Sequence, residues 1–279
     1  MTSSPSPEHP KTANTNMLVI GIAGGSGCGK TTTAINLAAA LKKNDFNVLL
    51  IDTDSNPGLT QVLLQPGEVA EVTLTDIYEK LMEARVDGTP LPDANMGKKI
   101  SAEGLEYIPC DVNLGSLEYM LNRLDIQDPA TLLKSFIEQQ TEYDYIIIDS
   151  PGDFDQRTIN ALVASDEFII PIVPEPMCIK AVTELLPNID MVMAQNPDLT
   201  LSGILLTNAQ MRTNLTKRAI EEIRDSGLPV FENIIPRATA VAGAPVQGKS
   251  VLATDPRNAA AVAYDNFCNE YLQLERERY

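Results

Sequence analysis

The sequence predicts an α/β protein, a single doubly wound domain with a mostly parallel sheet and helices on both of its faces. Short apolar runs alternate with longer amphipathic stretches from residue 17 almost to the C-terminus. The apolar runs have almost no polar face, which is typical of parallel strands buried on both sides. The chain has 279 residues and is 44% apolar, which suits one large domain.

The most apolar runs are the predicted strands. In chain order they cover residues 17–24, 47–52, 105–110, 143–149, 167–173, 201–207 and 230–236. The stretches between them combine helical spacing with good helix formers. They predict helices over residues 31–44, 72–85, 116–124, 131–140, 158–166, 177–195, 214–227 and 258–277. Residues 86–99 are rich in Gly, Pro, Asn and Asp, which indicates a loop.

Composition and charge narrow the class of protein. Residues 1–16 are polar and contain proline, so they predict a disordered tail, not a signal peptide, before a domain at 17–279. A net charge of −17 argues against a uniformly basic nucleic-acid surface, although a local basic patch is compatible with it. Four widely spaced cysteines and one histidine disfavour a disulfide framework or a zinc site. The sequence has no apolar run long enough to span a membrane.

Residues 24–31 read GGSGCGKT and match the phosphate-binding pattern G-x-x-x-x-G-K-[ST] without a mismatch. The motif lies between the first predicted strand and the first predicted helix, where loop N–H groups and the helix N-terminus can face phosphate. Lys30 is expected to reach the β- and γ-phosphates, and Thr31 to bind Mg²⁺. The predicted phosphate-binding residues are Gly25, Ser26, Gly27, Cys28, Gly29, Lys30, Thr31 and Thr32.

Aspartates follow two other predicted strands. Asp52 and Asp54 lie in VLLIDTDSNPGLT (48–60), and Asp149 closes YDYIIID (143–149). Ligands of open α/β sheets bind at the carboxyl ends of the strands. A carboxylate there can hold a metal-bound water or orient a water for attack on the γ-phosphate, and Asp149 fits a Walker B position. From the residues alone, a solvated turn is the less favoured alternative for Asp52 and Asp54.

Five further segments follow the P-loop in a characteristic order: LLIDTDSNPGLT, YDYIIIDSPG, TINAL, GILLTNAQMRTNL and IIPRATAVAGAPVQGKSV. In this order the chain resembles the ParA/MinD family of partition and positioning ATPases, from about Met17 to Leu274. The resemblance implies a P-loop NTPase fold of the SIMIBI type, with ATP and Mg²⁺ as cofactors. It also implies an ATP-dependent homodimer that sandwiches two ATP molecules and hydrolyses them slowly until a partner stimulates it.

The resemblance also implies roles for individual residues. Lys30 and Asp54 would be catalytic, with Asp54 activating water. Mg²⁺ would be held by Thr31, Asp52 and Asp149, and the adenine would be bordered by Asn208 and Pro236. Non-specific DNA would be bound by exposed basic residues. The candidates are Arg212, Lys217 and Arg237.

Three residues depart from the family pattern. Gly25 stands where ParA proteins usually have a signature lysine that crosses the dimer, Ala240 replaces a basic residue, and Gly152 replaces a proline. The carboxysome-positioning McdA branch also lacks the signature lysine. Lys180 is the candidate replacement, with Arg157 as the second, although Lys180 is equally compatible with a surface lysine on an amphipathic helix.

The expected function is therefore a ParA-type ATPase that is cytoplasmic and associated with the nucleoid. It would bind non-specific DNA as an ATP-bound dimer and position a carboxysome, plasmid or chromosome through a cargo-bound adaptor. One alternative is a small-molecule kinase, because GGSGCGKTT also resembles the loop of uridine kinase or phosphoribulokinase. Another is a MinD-like membrane-surface positioner, but YLQLERERY has few apolar anchors, so no stable membrane binding is expected.

Overall fold

A computed structural model describes residues 17–176 and 178–278, so the predicted tail at residues 1–16 lies outside the described residues. Seven strands of the described chain form one sheet in the order β3-β4-β2-β5-β1-β6-β7. They are β1 (Leu18–Ile22), β2 (Val48–Asp52), β3 (Lys99–Ile100), β4 (Glu106–Ile108), β5 (Tyr145–Asp149), β6 (Glu167–Ile172) and β7 (Thr200–Leu206). All pairs are parallel except β3 with β4, which confirms the predicted mostly parallel sheet.

Helices cover both faces of this sheet. In chain order they are α1 (Lys30–Lys43), α2 (Gly58–Leu63), α3 (Leu74–Asp87), α4 (Leu117–Arg123), α5 (Leu132–Ile137), α6 (Gln156–Val163), α7 (Cys178–Met193), α8 (Asn214–Arg224), α9 (Thr239–Gly243), α10 (Val251–Thr254) and α11 (Ala259–Arg278). One face of the central strands packs on α1 and α11, and the other on α3 to α6. Next to β6 and β7, the helices α7 and α8 complete the core. In the described part of the chain, no helix has the length and hydropathy to cross a bilayer.

The predicted strand at 230–236 forms only isolated bridges, of Val230 with Ile204 and of Pro236 with Ala209. The reason is a competing acceptor. The carboxylate of Glu270 in α11 accepts the backbone N–H groups of Glu232 and Asn233 at 2.6 and 3.0 Å. The N–H groups of Glu232 and Asn233 are therefore bonded to α11. The segment at 230–236 runs beside β7 without forming a continuous ladder of hydrogen bonds with it.

Candidate functional site

The glycine-rich loop curls between β1 and α1 at the carboxyl edge of the sheet. Gly27 and Gly29 have φ values of 76° and 90°, a left-handed conformation that costs little only in glycine. A Cβ added at Gly25 or Gly27 would meet nothing within 4 Å, so these positions face open space. The loop therefore has the shape of a cradle whose backbone an incoming phosphate can approach closely.

Lys30 is the first residue of α1 and is only 8% exposed. Its Nζ donates to the carbonyl oxygens of Gly24 and Gly25, each at 2.9 Å. The ammonium group is therefore held against the backbone of the loop itself. This places the positive charge of Lys30 beside the cradle that the sequence predicts for phosphate.

The next residue, Thr31, lies against the end of β5. Its Oγ1 donates to Asp149 Oδ2 at 2.6 Å. Among the described residues, the other oxygen of this carboxylate, Oδ1, is buried without a hydrogen-bond partner. A hydroxyl and a carboxylate are oxygen ligands of the kind that Mg²⁺ prefers. The residues present therefore fit a magnesium ion, which would satisfy the buried oxygen.

Asp52 and Asp149 lie directly opposite each other in the register of β2 and β5. Burial raises the pKa of both carboxyls, and at Asp149 the neighbouring charge of Asp52 raises it further. Asp52 is the better satisfied of the two, since its Oδ2 accepts from the backbone N–H and the hydroxyl of Thr60 at 2.8 and 2.7 Å. A divalent cation at Asp149 would relieve the repulsion between the two carboxylates.

Asp54 lies on the loop that follows β2 and is half-buried. Its backbone N–H donates to Asp52 Oδ1 at 3.2 Å, and its own Oδ1 accepts from the N–H of Asn56 at 2.9 Å. The same loop returns to Thr31, since a Cβ added at Gly58 would lie 3.3 Å from Thr31 Oγ1. Asp54 is therefore on a hydrogen-bonded loop that packs against the predicted magnesium ligand.

Gly152 has a structural reason to depart from the family pattern. A Cβ added there would overlap with Ser26 Oγ and would lie 3.1 Å from the Ser26 backbone nitrogen. The side chain at Ser26 therefore occupies the space that a larger residue at position 152 would need. The residues at positions 26 and 152 are therefore complementary in space.

The predicted adenine-bordering residues are brought together at the end of β7. Asn208 is exposed and has a φ of 50°, a left-handed value that Asn tolerates. The adjacent Ala209 bridges to Pro236. Thr207, which the sequence did not single out, joins this region to the P-loop, because its Oγ1 donates to the carbonyl oxygen of Cys28 at 2.7 Å. The position of Thr207, at the end of a predicted strand and directly before Asn208, could have indicated that it belongs to the site.

The two candidates for the missing signature lysine differ in their surroundings. The Lys180 side chain is 62% exposed and pairs loosely with Glu184 at 3.6 Å, one turn later in α7. Arg157 is only 9% exposed and donates to Asp155 and Ser55 within its own chain. Lys180 can therefore reach beyond its own chain, whereas Arg157 is bonded within it.

The three candidate DNA contacts have exposed side chains. Arg212 lies in the turn before α8, and Lys217 on the outer face of that helix. The backbone N–H of Arg237 donates to the carbonyl oxygen of Ala209 at 3.1 Å, which holds Arg237 near the start of the Arg212 turn. Arg237 is therefore held beside the backbone of Ala209, three residues before Arg212, although 25 residues separate the two arginines along the chain.

Comparison with known proteins agrees with this architecture. The AAA_31 family, described as an AAA domain, matches residues 17–201. The sporulation initiation inhibitor protein Soj of Bacillus subtilis is 33% identical over 88% of this chain and 93% of its own. The chromosome partitioning protein ParA of Caulobacter vibrioides is 32% identical over 90% of this chain and 92% of its own.

A solved structure shares the fold along nearly the whole chain. It is cobyrinic acid a,c-diamide synthase of Mycobacterium smegmatis with a bound ATP analogue and magnesium. It is 26% identical, has a TM-score of 0.78, and the match covers 94% of this chain and 97% of that one. With its P-loop, its facing aspartates and these relatives, the chain belongs to the ParA/MinD family of P-loop NTPases.

Proposed function

We propose that this protein is a ParA-type ATPase that binds ATP with Mg²⁺ and hydrolyses it. The observation that carries the proposal is the buried Asp149 Oδ1, which has no hydrogen-bond partner among the described residues and belongs to the carboxylate that bonds the Thr31 hydroxyl beside the P-loop. An unpaired buried carboxylate oxygen is costly, so it favours a site built for a cation. The ATP analogue and magnesium bound by the Mycobacterium smegmatis relative support the same ligands here.

Each residue then has a distinct part in the reaction. The backbone N–H groups of the loop bind the phosphates, and Lys30 neutralises charge on the β- and γ-phosphates. Thr31 and Asp149 hold Mg²⁺, with Asp52 supporting the site. The bound ion supplies charge neutralisation and orientation of the phosphates. Asp54 accepts a hydrogen bond from the attacking water and orients it toward the γ-phosphate.

The direct test is steady-state ATP hydrolysis by the wild type and by Asp54→Ala. We expect Asp54→Ala to bind an ATP analogue with unchanged affinity while kcat falls about a hundredfold or more. Phosphate release is measured with and without a nucleoside or a sugar phosphate. Rapid ADP formation that depends on such an acceptor would favour the kinase alternative and overturn this proposal.

The ATP-bound form is proposed to be a symmetric homodimer in which Lys180 reaches the partner's phosphates. The exposure of Lys180, which forms a weak surface ion pair with Glu184, supports a role outside its own chain. In the Asp54→Ala background, Lys180→Ala is expected to abolish ATP-dependent dimerisation in light scattering. Lys80→Ala is the matched control, because Lys80 forms a similar surface pair with Glu83. An intact Lys180→Ala dimer would show that the dimer forms without this charge.

The dimer is proposed to bind non-specific DNA through Arg212, Lys217 and Arg237, and thereby to associate with the nucleoid in the cytoplasm. A cargo-bound adaptor would stimulate hydrolysis and release the protein from DNA, which moves the cargo. The partition and sporulation relatives support a chromosome or plasmid as cargo, and the absent signature lysine supports a carboxysome of the McdA type. An ATPase assay with the purified product of each gene beside this one tests the cargo: stimulation by a centromere-binding protein supports a chromosome or plasmid, and stimulation by a carboxysome adaptor supports a carboxysome.

Stable membrane binding is not part of the proposed cycle. Seven side chains of α11 are buried against the domain, and its last described residue, Arg278, bonds to the buried Glu167 at 3.0 Å. A MinD-like anchor would need a free apolar face on such a helix. Sedimentation with anionic lipid vesicles in the presence of ATP should therefore leave the protein in the supernatant. Co-sedimentation would instead support the MinD-like alternative.

A further inference from the structure

Arg157 joins the loop that carries Asp54 to the start of α6. Its Nε donates to Asp155 Oδ2 at 2.9 Å, and its Nη2 bonds to the same oxygen. Its Nη1 donates to the hydroxyl of Ser55, 102 residues earlier in the chain. A single guanidinium therefore connects two loops that follow neighbouring strands, β2 and β5.

Both ends of this connection are fixed. Asp155 is the N-cap of α6, and its Oδ1 accepts from the backbone N–H of Arg157 at 2.9 Å. Ser55 packs on Gly115, where an added Cβ would lie 3.4 Å from the serine side chain. Since Ser55 is bonded covalently to Asp54, its position limits where the Asp54 carboxylate can point.

The surroundings of Arg157 are those of an internal contact. Burial lowers the pKa of the guanidinium, but the hydrogen bond and ion pair with Asp155, together with the nearby charge of Asp54, raise it. A planar guanidinium can donate to several acceptors at fixed angles, which a lysine ammonium cannot do. Arg157 is therefore suited to hold two loops in a fixed relation.

We infer that Arg157 is a positioning residue for hydrolysis: through Ser55 it holds the Asp54 loop in the orientation that presents Asp54 to the attacking water. This inference rests on the proposed ATPase function. It gives Arg157 a task within its own chain, in place of a contact with the partner's phosphates. A shift of about 1 Å in a catalytic group can cost on the order of a hundredfold in rate.

The test compares kcat and the affinity for an ATP analogue in three variants. Arg157→Met removes the guanidinium, Ser55→Ala removes its acceptor on the loop, and Arg157→Lys keeps the charge without the fork. All three are expected to lower kcat roughly tenfold to a hundredfold while analogue affinity and ATP-dependent dimerisation stay unchanged. Arg85→Met is the matched control, because Arg85 also bonds two segments, through Gln127 and Thr131, on the surface away from the site.

Double variants identify the pathway of the effect. Arg157→Met combined with Ser55→Ala should be no slower than either single variant, and neither should slow Asp54→Ala further. If Arg157→Met abolishes ATP-dependent dimerisation while Ser55→Ala does not, Arg157 acts across the dimer and the inference is wrong. If Arg157→Met does not fold, an unchanged kcat in Ser55→Ala overturns the inference by itself.

The two proposals fail in different ways. Loss of hydrolysis in Asp54→Ala together with a normal kcat in Ser55→Ala and Arg157→Met would reject the positioning role alone. Failure of the wild type to hydrolyse ATP would reject the ATPase function itself.

Discussion

The absence of a side chain at Gly152 leaves room for the Ser26 side chain in the P-loop. Gly152→Ala would push a Cβ into Ser26, and overpacking of this kind costs about 1–3 kcal/mol. We expect the variant to bind an ATP analogue about tenfold more weakly, because the strain falls on the phosphate cradle. Fluorescence titration with the analogue measures the effect.

The control for that substitution is a second one. Ser26→Gly removes the overlapping hydroxymethyl group, so Ser26→Gly combined with Gly152→Ala should recover most of the lost affinity. If wild type and Gly152→Ala bind the ATP analogue with equal affinity, the loop adjusts without cost. The close packing of positions 26 and 152 would then not affect nucleotide binding.

Asp149 is expected to reduce the stability of the fold that contains it. Because burial and Asp52 raise its pKa, the folded chain retains a proton that the unfolded chain releases. The corresponding stability is present below the ordinary carboxyl pKa of about 4 and is lost as pH rises through the higher folded pKa. In EDTA and without nucleotide, Asp149→Asn should therefore melt about 2–4 °C above wild type near neutral pH.

The same variant should lose magnesium-dependent hydrolysis, so stability and activity change in opposite directions. Calorimetry across pH checks the first effect, and the melting temperature of wild type should fall more steeply with rising pH than that of Asp149→Asn. Parallel slopes for the two proteins would mean that Asp149 titrates normally.

Residues within one motif and carboxylates at the ends of neighbouring parallel strands could be predicted, as the Thr31–Asp149 contact shows, whereas side-chain contacts between the other loops could not. The motif itself indicates Lys30 and Thr31, because loop, charge and hydroxyl are contiguous. The Arg157–Ser55 bond joins residues 102 positions apart, and the Thr207–Cys28 bond joins residues 179 apart. Hydrophobic periodicity and local motifs do not indicate which distant side chains will form hydrogen bonds with each other.

At the scale of elements, most helices and strands were predicted, including the short β4 and α5, whereas β3 and the helices α2, α9 and α10 were missed. The strands β1, β2 and β5 are buried along their whole length, and the helices α1 and α3 have 14 residues each, which is long enough to show helical spacing. The helices α2, α9 and α10 have only four to six residues each, too few to establish a period. The predicted strand at 230–236 was wrong because its N–H groups bond to Glu270, which belongs to a helix much later in the chain.

The last helix gives a prediction about stability. Arg278 donates to Glu167 Oε1 at 3.0 Å and to the carbonyl oxygen of Ser202 at 3.1 Å, while Glu167 is fully buried. Arg278→Ala removes the cation but leaves Glu167 its bonds to the hydroxyls of Ser202 and Tyr271. Because the Arg278 side chain is about one-third exposed, we expect a loss of about 1–2 kcal/mol, below that of a fully buried pair.

Urea unfolding followed by circular dichroism measures this loss. Arg276→Ala is the control, since Arg276 is exposed on the same helix. A midpoint for Arg278→Ala equal to that of the control would mean that the end of α11 contributes little to the fold.

The whole molecule carries a net charge of −17, so DNA binding depends on where its basic side chains lie and not on its overall charge. A net charge of this sign repels DNA overall, so binding requires basic side chains gathered in one area and doubled by dimerisation. We expect Arg212→Ala to weaken ATP-dependent binding to DNA of any sequence. It should also reduce the dependence of log K on log salt by about 1 per protomer.

Filter binding at several salt concentrations measures both quantities. Arg123→Ala on α4 is the matched control, because it removes one exposed arginine far from the proposed surface along the chain. Unchanged affinity and salt dependence in Arg212→Ala would remove Arg212 from the set of contacts.

The register that sets Asp52 opposite Asp149 has a consequence for the history of the protein. Neighbouring strands are held about 4.8 Å apart by their backbone, so the two carboxylates cannot drift away from each other. Substitution of Asp149 by asparagine would stabilise the fold. Aspartate is therefore kept at this position only while selection maintains nucleotide hydrolysis. In lineages that no longer use the site, asparagine should therefore appear at position 149 before substitutions accumulate in the P-loop at residues 24–31.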